Sequence, residues 1–219
     1  MTLTEPLPVV EAVRRALEID GRDGPDGRRT RITLTLTTNL AVPPARLWPL
    51  LADPAQRARW CDTVTGALAE GERLDGPGGA HGRVLGVQEP HRIELTWGGD
   101  GPQEPLRIRL DPEDDGTTAL QLRRTLEREA EEMETVGAGA LALRWELAVL
   151  ALAAHTDGWR DSCLQTPPVP TADWLRGAEG AEHVRAWSVR WAAAALAAGV
   201  EESVVRRGEQ ETVRRYAAG

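Results

Sequence analysis

The feature that most constrains this fold is the run of residues 137–155, which is apolar on nearly every side when drawn as a helix. Only Arg144 and Glu146 interrupt its apolar surface. A helix of this kind must be buried on more than one side. The apolar part is shorter than the ~20 residues that cross a bilayer. We therefore expect no membrane span, but a core helix that a sheet covers on one side and a second element on the other.

Several short alternating segments before this helix predict an antiparallel sheet. Apolar and polar residues alternate in residues 31–38, 82–88, 91–97, 106–110 and 117–126, and residues 67–74 are a candidate for one more strand. Short polar turns join the last four segments, which is typical of an antiparallel meander with one apolar face. Two short helices are predicted after the first strand, the first beginning at Pro43-Pro44 and the second capped by Asp53.

Both ends of the chain add to this core. Residues 9–17 fit either a short helix or an edge strand, and the Gly-rich residues 21–27 predict a solvent loop. The tail carries Trp187 and Trp191 at helical spacing, so it either docks on the long helix or joins a second copy in a homodimer. The predicted organisation is an N-terminal extension (1–27), a central domain (28–158), a Pro-rich connector (159–175) and a helical tail (176–219).

Charge and composition exclude several classes of function. The formal charge is −8, with 34 acidic and 26 basic residues, and a negative field repels phosphate backbones, so we expect no nucleic-acid partner. All basic residues are Arg, which removes a Schiff-base or P-loop lysine. The three serines lie in no Gly-x-Ser-x-Gly turn.

Nothing in the sequence predicts a metal or a cofactor. The four histidines show no ligand spacing, and a Gly-x-Gly-x-x-Ala match at residues 137–142 lacks the preceding parallel strand of a dinucleotide site. Cys61 and Cys163 are about a hundred positions apart and are interpreted as thiols of a reducing compartment. No basic-then-apolar leader is visible at the N-terminus, and a cytoplasmic location is expected by default.

The order of elements and several local stretches resemble a known superfamily. A strand, two short helices, an antiparallel meander and one long helix are the order of the START-like helix-grip superfamily (SRPBCC). Residues 42–48 (Val-Pro-Pro-Ala-Arg-Leu-Trp), 51–54 and 59–60 resemble the opening of the branch named after activators of the heat-shock-protein-90 ATPase. Residues 82–84, 89–93 and 96–97 are similar to its middle strands, and residues 116–118 resemble the turn into its last strand. The resemblance covers residues 28–155, with a plainer Thr-rich first strand and no Phe.

This resemblance implies an α+β helix-grip fold, in which a curved antiparallel sheet wraps around the long helix and leaves a cavity for a small hydrophobic molecule. The strand faces with Ile93, Leu95, Trp97, Ile108, Leu110, Leu120 and Leu122 would then point towards Leu141, Trp145 and Ala148. Trp60 and Trp97 are the best lining candidates, because an indole joins a large apolar face to an N–H donor. These apolar side chains are expected either to line a pocket or to fill a solid core. Three functions stay open: binding or carriage of a hydrophobic molecule, a cyclase- or hydrolase-like enzyme, and a chaperone-linked regulatory module.

Overall fold

The computed structural model describes residues 7–24, 27–61, 63–160 and 166–217. Within them the chain forms an α+β fold with one curved antiparallel sheet and a set of helices on its concave face. The strands are β1 Val13–Gly24, β2 Gly27–Leu40, β3 Arg73–Asp75, β4 His81–Gln88, β5 Arg92–Trp97, β6 Glu104–Pro112 and β7 Thr118–Glu129. The helices are α1 Leu7–Glu11, α2 Pro44–Ala52, α3 Pro54–Arg57, α4 Ala130–His155, α5 Ala172–Arg176, α6 Ala178–Ala197 and α7 Glu202–Tyr216, with a 3-10 turn at Pro77–Gly79.

Strands β3 to β7 form a meander, and the β1–β2 hairpin joins it through the pairing of β2 with β7. Its strand order is β1-β2-β7-β6-β5-β4-β3, and all neighbours pair antiparallel. Helices α2 and α3 make the crossing from β2 to β3. Pro44 begins α2, and the Asp53 side chain accepts a hydrogen bond from the Ala55 backbone N–H (2.8 Å) as the cap of α3. The predicted helix-grip architecture is confirmed.

The N-terminal part differs from the sequence-based expectation. Residues 9–17 form both of the proposed elements, because α1 ends at Glu11 and β1 begins at Val13. The predicted loop at residues 21–27 is largely absorbed into the sheet, since the backbone ladder pairs Gly21 with Thr30 and Gly24 with Gly27. Pairing with the long strand β2 overrides the turn-like composition of this segment.

Helix α4 begins at Ala130, seven residues before the predicted start at Gly137. Gly137 marks a bend instead, with φ 75°. A Cβ built on Gly137 would lie 2.6 Å from the Cα of Gly208 in α7, so glycine is needed both for the backbone conformation and for the close approach of the two helices.

Both sides of α4 are covered, as its apolar surface required. One side faces β2 and β7, and α6 and α7 pack on the other. Among the described residues, Thr135–His155 is the one helical stretch that is long and apolar enough to cross a bilayer. Its Glu146, however, is 2% exposed and forms an ion pair with Arg15 of β1 (Nε–Oε1 2.6 Å), as expected of a core helix.

The tail helix α6 docks on α4 within the same chain. Trp187 and Trp191 are 3% and 1% exposed. The Trp191 indole N–H donates a hydrogen bond to Glu146 Oε1 (2.8 Å), and Ser188 Oγ donates one to the Glu209 carbonyl of α7. Burial of an indole body together with satisfaction of its polar N–H fixes the position of the tail on the core.

Candidate ligand-binding site

An apolar chamber of about 130 Å³ lies between the concave face of the sheet, α4 and the segment that follows α2. Its floor comes from successive core-facing residues of β5, β6 and β7. The strand register places Ile93 beside Ile108, Ile108 beside Leu122, and Leu95 beside Leu106. An engineered apolar cavity of similar size stays dry and binds benzene, so this chamber can accept one apolar ring.

Seven of the nine predicted site residues line the chamber. They are Trp60, Leu95, Trp97, Ile108, Leu120, Leu122 and Trp145. Ile93 and Ala148, which belonged to the same predicted faces, also line it. Period-two spacing on three strands and helical spacing on α4 therefore bring these side chains together, as expected from one apolar face of each element.

The other two predicted residues lie elsewhere. Leu110 is fully buried beyond the chamber, where it pairs with Leu120 in the ladder and packs as ordinary core. Leu141 lines a separate groove nearer the N-terminal half of α4. Both follow the correct periodicity, but periodicity gives only the direction of a side chain and not its depth along the element.

Nine further lining residues were not predicted from the sequence. They are Leu51, Arg57, Cys61, Val64, Leu68, Leu74, Leu106, Val149 and Leu152. Two signals could have found some of them: Leu106 is in phase with Ile108, and Val149 and Leu152 are four and seven residues after Trp145. The residues between α3 and β3 have no such periodicity, and only the tertiary fold brings them to the chamber.

Two polar groups of the lining, those of Arg57 and Trp60, donate hydrogen bonds to the backbone. Arg57 donates hydrogen bonds to the carbonyls of Leu51 (2.9 Å), Val64 (3.3 Å) and Gly66. The Trp60 indole N–H donates to the Leu50 carbonyl (2.8 Å). Burial lowers the pKa of Arg57 below its ordinary value, and Cys61 and the Asp53 carboxylate partly offset this effect. The surface that faces the chamber is left almost entirely apolar.

Trp97 and Trp145 form the boundary of the chamber. Their rings meet edge to face, with centroids 6.4 Å apart and planes at 69°, a preferred geometry for aromatic pairs. Trp97 is held from behind by Gly76, where an added Cβ would lie 2.5 Å from the indole ring. Glycine at this position lets the loop before β4 close over Trp97.

A larger groove of about 770 Å³ lies on the other side of this tryptophan pair. Its walls are α4, the ends of β5 to β7, and parts of the tail. The residues that line it include Trp97, Trp145 and Leu141, and also the charged side chains Arg29, Glu104, Arg124, Glu127, Arg128, Glu129 and Arg144. The groove is therefore amphiphilic, whereas the chamber is apolar.

The floor of the groove contains a buried ion pair. Arg124 and Glu104 side chains are 4% and 7% exposed and contact at 3.0 Å, and Arg124 also donates to the Trp97 and Glu104 carbonyls (2.5 and 2.6 Å). Burial lowers the pKa of Arg124 to about 10, Glu104 partly offsets this, and Arg128 lowers it further. Arg124 thus remains a cation at neutral pH. The Glu104 carboxylate also accepts from Arg128 and from the Glu127 backbone N–H (2.8 and 2.7 Å).

Metal-ligating side chains do not converge anywhere in the described part of the chain. Of the two cysteines, Cys61 is half-buried at the chamber, with its Sγ 3.9 Å from Thr63 Oγ1. Cys163 lies outside the described residues.

Two solved structures of one bacterial protein, CalU16, share the overall fold of this chain. CalU16 from Micromonospora echinospora matches in its crystal structure with 23% identity and a TM-score of 0.57, over 86% of this chain and 99% of that one. Its solution structure matches with 24% identity and a TM-score of 0.58, over 90% of this chain and 97% of that one. A weaker match is an Hsp90 activator from Plasmodium falciparum, with 18% identity and a TM-score of 0.38, over 42% of this chain and 71% of that one. The CalU16 matches cover a larger share of this chain than the central domain alone occupies.

No curated protein sequence matches this chain at a significant level. Residues 41–157 match the family described as Activator of Hsp90 ATPase homolog 1-like protein. This segment is more than half of the chain, and it contains α2, the meander and the whole of α4. The chain therefore belongs to the Activator of Hsp90 ATPase homolog 1-like family.

Proposed function

We propose that this protein binds or carries a small hydrophobic molecule in the chamber between the sheet and α4. The observation that carries this proposal is the chemistry of the chamber lining. It consists of aliphatic and indole side chains, and its guanidinium and one of its indole N–H groups donate to backbone carbonyls. Burial of an apolar ligand in such a site is favoured by about 25 cal/mol for each Å² of apolar surface removed from water.

The same lining argues against a cyclase or hydrolase. General acid–base catalysis needs a carboxyl, imidazole or similar group within hydrogen-bond reach of the substrate. The described residues that line the chamber include no Asp, Glu, His, Ser, Thr or Tyr. Cys61 is a potential nucleophile, but no lining carboxylate or imidazole stands ready to accept its proton.

The chaperone-linked alternative relied on the tail as a contact surface. Its two most suitable anchors, Trp187 and Trp191, are buried against α4. Their burial supports a structural role for the tail rather than a role in recognition of a partner. A homodimer and a cytoplasmic location stay predictions.

The test is to fill the chamber without removing any polar group. Ala148 lines the chamber, whereas Ala151 lies three residues further along α4, is similarly half-buried and lines neither the chamber nor the groove. We expect toluene to shift the indole N–H resonances of Trp60, Trp97 and Trp145 in an NMR titration. Ala148→Phe should abolish these shifts, and the control Ala151→Phe should retain them. Unchanged toluene binding by Ala148→Phe would contradict the proposal.

A further inference from the structure

The chamber and the groove adjoin beneath α4, at Trp97 and Trp145. On β7 the lining passes from Leu122 in the chamber to Arg124 in the groove, two residues further along the same strand face. On β6 it passes in the same way from Leu106 to Glu104. Among the described residues, only Trp97 and Trp145 line both spaces. A molecule longer than one ring would therefore run along these two indoles from the chamber into the groove.

The chemistry of this space changes abruptly at the tryptophan pair. The chamber side offers apolar contacts only, while the groove side carries several Arg and Glu side chains. Because pockets orient their ligands through a few placed polar groups, the best match is a molecule with one apolar end and one charged end. The sign of that charge depends on which groups of the groove are already neutralised.

Most charges of the groove have counter-charges within the protein. Arg124 and Arg128 share Glu104, and Arg29 pairs with Glu129 at 3.3 Å. Glu127, the remaining described carboxylate of the groove, contacts Arg31 at 3.0 Å. At the groove floor, Glu104 is thus the described carboxylate that both Arg124 and Arg128 contact.

Arg144 differs from the other cations of the groove. It lies on α4 next to Trp145 and its side chain is exposed. Its Nη1 donates to the Pro77 carbonyl (3.2 Å), and no carboxylate of the described residues lies within ion-pair distance of its guanidinium. A guanidinium has five N–H donors in a planar fork that matches a carboxylate in two-point contact. Most N–H donors of the Arg144 guanidinium therefore make no hydrogen bond to the described residues, at the point where the groove meets the tryptophan pair.

We infer that the natural ligand is an amphipathic carboxylic acid, with its apolar end in the chamber and its carboxylate in the groove at Arg144. This inference rests on the proposed function, since it needs the chamber to be a binding site. The polar end gains a charge-assisted hydrogen-bond pair with Arg144. The apolar end supplies the contact area.

The experiment compares two probes that differ only in the polar end, 4-phenylbutyrate and 4-phenylbutan-1-ol, by isothermal titration calorimetry at pH 7 and low salt. We expect the wild-type protein to bind the acid about tenfold more tightly than the alcohol, the scale of a charge-assisted hydrogen bond. Arg144→Gln should weaken the binding of the acid about tenfold and leave the affinity for the alcohol unchanged. The matched control is Arg109→Gln, on the outer face of β6 beside Asp111, which removes the same charge and should change neither affinity.

The outcomes separate this inference from the function on which it rests. If the alcohol binds but the acid binds no more tightly, or if Arg144→Gln weakens both probes equally, the carboxylate assignment is wrong and the chamber remains a binding site. An equal loss of acid affinity in Arg109→Gln would show that only net charge matters, and would also overturn the assignment. If neither probe binds, both the inference and the proposed function fall.

Discussion

The buried contact of Glu146 with Arg15 and Trp191 gives a sharp test of how the tail and the edge strand are held to α4. The carboxylate accepts from Arg15 Nε and Nη2 (2.6 and 2.9 Å) and from the Trp191 indole N–H (2.8 Å). The two charged side chains are 3% and 1% exposed. Removal of one partner of a buried ion pair costs about 3–5 kcal/mol, because the other charge stays buried without compensation.

The loss of unfolding free energy caused by Glu146→Leu is expected to lie near the lower end of that range. Arg15 would keep hydrogen bonds to the carbonyls of Val10 and Val13 (2.9 and 2.6 Å), which leaves its guanidinium partly satisfied. Arg15→Leu should cost a similar amount. The double variant should lose less than the sum of the two single losses, since it leaves no unpaired charge, and the coupling should be about 1–3 kcal/mol.

Urea unfolding followed by far-UV circular dichroism measures these free energies of unfolding. The control cycle uses Arg109 and Asp111, an exposed ion pair on the outer face of the sheet (2.9 Å), for which no measurable coupling is expected. Strict additivity of Glu146→Leu and Arg15→Leu, or a loss below about 1 kcal/mol for either one, would refute the reasoning that this contact joins three elements of the fold.

Two smaller predictions concern the helix contact and an exposed turn. Gly208→Ala should destabilise the protein by about 1–3 kcal/mol, because the added Cβ would lie 2.8 Å from Gly137 Cα; a thermal melt that shows the stabilisation normal for Gly→Ala in a helix would contradict this contact. Thr117 Oγ1 donates to Asp115 (2.7 Å), and this hydrogen bond lowers the carboxyl pKa below its ordinary value. Its contribution to stability is present above the unfolded pKa and is lost as the pH falls through the folded one. Thr117→Val should raise the pKa of Asp115 in an NMR titration, and an unchanged pKa would contradict this assignment.

Much of the site could be predicted because it lies on regular elements. Leu95, Ile108 and Leu122 are on alternating strands, and Trp145 is on a helix whose burial on two sides was evident from composition. Arg124 was missed, although its signal is present in the sequence. It occupies the same face as Leu122 and Leu126, where a charged residue in phase with leucines indicates a buried charge that needs a partner.

The sequence by itself determined most elements of the central domain, the antiparallel order of the meander and the need to cover α4 twice, because these follow from local periodicity and from the exclusion of apolar surface from water. Only the tertiary structure decided that the space beneath α4 is divided at Trp97 and Trp145, and that Arg144 has no described counter-charge there. Such features depend on depth, on partners distant in sequence such as Arg15 and Glu146, and on close backbone approaches, and none of these is encoded in the spacing of neighbouring residues.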